Sequence, residues 1–162
     1  MQRAETKTNQ GFTIIEVLIV LAIAGLIMLI VFEAIPALSR SSRNNQRRQD
    51  VTAILQAVSH YELNNSANYP DSLSVPVTTL LQYSNLSYYD TANIVVKSPA
   101  SLPATEDASS LTFDQVVVYD YQKCSPTAIG QSSSQGSDYS DIVALYALET
   151  GSGSTVPQCQ QL

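Results

Sequence analysis

Between Phe12 and Phe32 every side chain is apolar except those at Thr13, Glu16 and Gly25. As a helix those 21 residues rise roughly 31 Å, enough to cross the hydrocarbon core of a bilayer. The run is longer than the 7 to 15 apolar residues, roughly, of a secretory signal. A plain anchor fits its length but leaves Glu16 unexplained, because a carboxylate in such a segment costs up to about 3 kcal/mol, less near the interface. Any reading of the chain has to give that acid a use.

Charge is segregated along the sequence. Arg3 and Lys7 precede the apolar run, Arg40, Arg43, Arg47 and Arg48 follow it, and only Lys97 and Lys123 lie further on. Residues 49 to 162 hold those 2 lysines against 11 acids, a net charge of −9. So acidic a distal part repels phosphates, which argues against direct nucleic-acid binding. The bland reading of the arginine cluster is contact with anionic lipid headgroups.

Helical patterning continues beyond the bilayer length. Val51, Ile54, Leu55, Val58 and Tyr61 keep the i, i+3, i+4, i+7 spacing of one apolar face, so a single helix is expected from about Thr13 to Asn64, roughly 78 Å long. Gly25 and Pro36 are its points of flexibility, with a kink expected near Phe32 to Pro36. Close helix packing through the small residue is an equally good reading of Gly25.

The string NNSANYP ends the helix. A short helix is expected near Val77 to Tyr83, then extended segments at Ile94 to Lys97, Gln115 to Gln122 and Asp141 to Glu149, giving an antiparallel sheet on the helix's apolar face. Cys124 and Cys159 lie in this distal part; if the apolar segment sends it across a membrane, the pair can form a disulfide.

The stretch QGFTIIEVLIVLAIAGLI carries a specific resemblance. A short hydrophilic leader ends in Gly11, Phe12 follows, and Glu16 comes four residues after that Phe; this resembles the class III signal of type IV prepilins. The resemblance implies that a prepilin peptidase removes residues 1–11 and that Phe12 becomes the methylated N-terminus. It assigns subunit assembly to Phe12, Thr13 and Glu16. The uncovered ammonium of Phe12 and the Glu16 carboxylate of a neighbouring copy are natural counter-ions, since each is intolerable alone in apolar surroundings.

The fold this implies is α+β: a filament-core helix over residues 12–36, its amphipathic continuation over 37–64, and a head over 65–162 with a C-terminal disulfide loop. The partners implied are further copies of the chain, the peptidase, and an assembly platform with its ATPase. The location implied is the cell membrane, with the N-terminus cytoplasmic, and then an extracellular filament supporting adhesion, motility or DNA uptake. Two flanking cations before the span and four after it would reverse that orientation by the positive-inside rule. The amino group of Met1 and the more specific processing motif outweigh this count. A pseudopilin of a secretion or competence system is the alternative within the same class, and an unprocessed membrane-anchored binding domain the alternative outside it.

No catalytic constellation, cofactor motif or metal-ligand set is read from the sequence. The lone His60 sits in the amphipathic helix as a structural or surface residue, and Asp138 and Asp141 lack the spacing of a calcium loop. Asn64 and Asn85 open N-x-S/T strings of a kind that arise often by chance. Most of the nine tyrosines are expected as core or interfacial residues, and Tyr88 and Tyr89, the best surface candidates among them, still read more strongly as packed side chains.

Overall fold

The computed structural model of the chain describes residues 11–65, 70, 76–82, 84, 86–97, 105–133 and 141–162. It divides into two compact units, residues 1–38 and 39–162. Helix α1 (Ile14–Asn64) contributes its first half to one and its second half to the other, with Pro36 inside its bounds. It starts and ends within one residue of the sequence expectation.

The second unit is built on a four-stranded sheet in the order β1-β3-β6-β7, formed by β1 (Ile94–Lys97), β3 (Val116–Asp120), β6 (Ile142–Glu149) and β7 (Thr155–Gln161). The sheet is antiparallel as expected across β3–β6 and β6–β7, but mixed overall, because β1 joins β3 in parallel, Ile94 opposite Val116. Parallel neighbours need a long crossover, and the 18 residues between Lys97 and Val116 supply one. The short α2 (Val77–Leu80) ends earlier than its expected limit at Tyr83.

Alternation along the central strands explains why they are so apolar. Val116, Val118, Ile142, Ala144, Tyr146 and Leu148 pack with Val51, Ile54, Leu55 and Val58 of α1. Val117, Tyr119, Val143 and Leu145 form a second cluster with Ala108, bordered by both cysteines. A three-stranded sheet, β2 (Thr105–Asp107), β5 (Gln131–Ser133) and β4 (Lys123–Cys124), makes up the rest of the strands. With partners on both faces, β6 is buried from Ile142 to Leu148.

The disulfide joins Cys124 of β4 to Cys159 of β7, with Cα atoms 5.6 Å apart. Pro157 is tolerated in β7 for a register reason. The Leu162 amide donates to the Ile142 carbonyl, so hydrogen-bonded pairs recur at 144/160, 146/158 and 148/156. Pro157, opposite Ala147, falls on a non-bonded pair, and its missing N–H breaks no bond to β6.

The polar residues just ahead of the apolar stripe of α1 hold the helix to the sheet. Asn44 donates to the Glu149 carbonyl at 2.9 Å and accepts from the Glu149 amide at 3.0 Å, acting as a short strand partner at the end of β6. Arg43 donates to Glu149 Oε2 from Nε and Nη2, at 3.0 and 2.7 Å. Arg47 is fully buried: it donates to Asn44 Oδ1 at 2.7 Å and to the Tyr88 hydroxyl, with its guanidinium 4.2 Å from the Tyr88 ring centre and 5.0 Å from that of Phe113. One turn on, buried Asp50 accepts from the backbone amides of Ser87, Tyr88 and Tyr89 at 2.9, 2.6 and 3.0 Å.

These contacts correct the lipid reading of two arginines and agree with a packed role for the two tyrosines. Arg43 and Arg47 serve the fold rather than lipid headgroups, because both are drawn to the Glu149 carboxylate, at 2.7 and 3.7 Å. Tyr89 is buried at 5% exposure and Tyr88 is half-buried beneath Arg47, so neither stands free on the surface.

Asp120, at the end of β3, is 2% exposed and accepts from the Tyr121 amide at 2.8 Å. Burial, reinforced by the charge of Glu62, pushes its carboxyl up to about 7 against that hydrogen bond. Glu62 is itself raised by burial. Unfolded, the Asp120 carboxyl ionises near 3.8. Between the two values the folded state keeps a proton that the unfolded state has lost, so stability falls as pH rises from about 4 to about 7 and levels off above. Thermal unfolding of the detergent-solubilised chain is therefore expected to show a higher Tm at pH 5 than at pH 8, with Asp120→Asn removing most of the difference. A Tm that rises across this range would contradict the assignment.

Candidate processing and assembly site

In the first unit the backbone of Gly11, Phe12 and Thr13 precedes the helix, which begins at Ile14. Thr13 Oγ1 accepts from the Glu16 amide at 3.4 Å, while Glu16 Oε2 accepts from the Thr13 amide at 2.9 Å and from its hydroxyl at 2.7 Å. This is a capping box, in which two orphan donors of a helix start are satisfied reciprocally. The Thr-x-x-Glu spacing at 13–16 was the available signal for it, and the sequence reading passed over it. The bond set occupies one carboxylate oxygen; Oε1 receives no hydrogen bond among the described residues.

Every residue from 11 to 39 is exposed. Phe12 is 90% exposed and Phe32 75%, with Ile14, Leu18, Leu21, Leu26 and Leu29 all above half. The helix is long and apolar enough to cross a membrane, and none of its most apolar stretch is buried. Such an area left in water is far larger than the few hundred Å² of apolar patch a soluble monomer carries, so lipid or other apolar helices must cover it. At Gly25 a built Cβ meets no atom within 4 Å, so the missing side chain relieves no crowding inside one chain.

The sequence-expected site residues thus fall into separate places. Phe12, Thr13 and Glu16 lie together at the helix start, with Gly11 beside them; Gly25 and Pro36 lie along the helix; the cysteines are bridged in the other unit. His60 is exposed on α1. Asp141 pairs with Lys123 at 3.2 Å, and Asp138 lies outside the described residues. Asn64 and Asn65 donate their side-chain amides to the His60 and Tyr61 carbonyls at 2.9 Å, closing the end of α1, whereas Asn85 lies outside the described residues. Among the described residues no group of three or more His, Cys, Asp or Glu side chains is placed to hold a metal.

Compared with family models, residues 6–32 match the prokaryotic N-terminal methylation motif, and so carry a class III prepilin-type signal. The match covers a sixth of the chain and includes Gly11, Phe12, Thr13, Glu16 and Gly25. Searches of curated proteins and of solved structures return no match. The long helix, the small mixed sheet and the disulfide make a pilin-like α+β arrangement.

Proposed function

We propose, from the methylation motif at residues 6–32 as premise, that this chain is a structural subunit of a type IV pilus. Anchored in the membrane by its apolar helix, it is cut after Gly11 by a prepilin peptidase and methylated on Phe12. An assembly platform with its ATPase then adds it to a filament in which helices of many copies cover one another. The observation that carries the reading is the exposed apolar face of residues 12–38, interrupted at its start by a single carboxylate.

Cleavage leaves an ammonium on Phe12 at the edge of that face, and the uncommitted Oε1 of Glu16 on a neighbouring copy is a suitable counter-ion. Removing the leader therefore acts as the switch for assembly. Mass spectrometry of the protein from its native cell is expected to find an N-methylated Phe12 start; an intact Met1 would mean a simple anchored domain.

Glu16→Gln separates the two roles of the acid. Glutamine can serve in a capping box, so helix content should hold and cleavage should proceed. The counter-charge is gone, and sheared filaments should be lost. Normal filaments from this variant would reduce Glu16 to a helix cap and defeat the pairing. Filaments that stay confined to short periplasmic or wall-crossing fibres would move the chain to the pseudopilins.

A further inference from the structure

We propose that Arg40 and Arg48 form a basic contact surface that receives the acidic head of a second copy of this chain. The inference rests on the filament reading above and names the contact between heads within it. Of the four arginines that follow the apolar run, Arg43 and Arg47 are ion-paired inside their own chain, sharing the single carboxylate of Glu149. Arg48 is exposed and makes no ion pair with an acid among the described residues. Arg40 is half-exposed with no acid partner among the described residues. Of the two downstream lysines, Lys123 pairs with Asp141, while Lys97 stands over the Tyr119 ring on β1.

The complementary groups are on the same head. Asp90, Asp107 and Asp114 are exposed, and their hydrogen bonds come from neutral donors: the Ala92 amide, the Ser109 amide with the Gln131 side chain, and the Thr112 hydroxyl with the Asn93 side chain. No cation is hydrogen-bonded to any of the three among the described residues, and the Arg47 charge acts on Asp114 from a distance. Residues 39–162 carry 11 acids against 6 cations, a net charge of −5, so copies brought side by side repel, and at physiological salt that repulsion is screened beyond about 8 Å, so contacts at shorter range decide the outcome. Arg40 and Arg48 are two cations of α1 with no acid partner among the described residues, and an acidic surface is what they fit.

The test uses the full chain in its native cell. Arg40→Glu with Arg48→Glu should lower the yield of sheared filaments about tenfold or more through like-charge opposition, with cleavage after Gly11 and the Tm of the head unchanged. Arg40→Lys with Arg48→Lys should assemble, and carbodiimide treatment of those filaments should join residue 40 or 48 to a carboxylate of another copy, giving a ladder of covalent multimers. Full filament yield from the glutamate variant would overturn the proposal. So would loss of filaments with no ladder from the lysine variant, which would assign these arginines to lipid headgroups instead. Failure of the filament reading itself looks different: the unaltered chain would then give no filaments.

Discussion

Asp50→Ala is expected to destabilise the head by about 3 to 5 kcal/mol, the cost of leaving three amides, from part-buried to buried, without their acceptor. The three amides that Asp50 accepts belong to Ser87, Tyr88 and Tyr89, a stretch outside any helix or strand with no sheet ladder to fall back on. Their arrangement puts Tyr89 into the core and Tyr88 under Arg47, so the loss spreads to the packing of both. For a domain whose whole stability is of the order of 5 to 15 kcal/mol, this leaves little margin at body temperature. Asp50→Asn keeps one acceptor oxygen and should lose roughly half as much. Chemical denaturation of the detergent-solubilised variants gives the figures, and a loss under about 1 kcal/mol for the alanine would mean that water replaces the carboxylate.

Gly130→Ala should cost roughly 3 kcal/mol or more, combining left-handed backbone strain with overpacking. Gly130 has φ +73°, and a Cβ there would sit 2.3 Å from Pro157 Cβ, 2.8 Å from its carbonyl carbon and 3.0 Å from its Cα. Two of those three atoms are backbone of β7, which is paired to β6 and bridged through Cys159, so the neighbour cannot swing aside as a flexible side chain would. The expected readout is a fall in Tm accompanied by easier reduction of the Cys124–Cys159 bridge. A variant with unchanged Tm would show that the turn before β5 can shift away from Pro157 at no cost.

Much of this fold could be read before any coordinates. Ile142 to Leu148 are continuously apolar because both faces of β6 are covered, and an uninterrupted short run with Val, Ile and Tyr is the sequence form of such a strand. The strand at Ile94 to Lys97 and the ends of α1 were legible for the same kind of reason: their period or their boundary residues are strong. Strand β7 was missed because TVPQCQQ is polar, contains proline and lies half-exposed at a sheet edge, where pattern carries little information. The short strands β2, β4 and β5 have too few residues to show a period at all.

The polar contacts of α1 were hidden differently. Arg43, Asn44, Arg47 and Asp50 looked like the solvated end of a charged helix, yet they continue the spacing of Val51, Ile54 and Val58 and so share its buried stripe. Following the stripe backwards past its last apolar member would have found them. At the helix start the processing motif drew attention to Glu16, and the capping spacing from Thr13 to Glu16 in the same string gave the acid a second, purely local use.

The bridge between Cys124 and Cys159 has a mechanical side as well. It closes a loop over a sequence separation of 35 residues, so roughly 120 Å of contour, at about 3.4 Å for each residue, is withheld from a chain drawn out by its ends. Tension applied through residues 39 and 162 bypasses that loop through a covalent link, and β5 and β6, which lie within it, cannot be stretched out while the two sulfurs stay joined. Reduction would return that hidden length without changing a single residue.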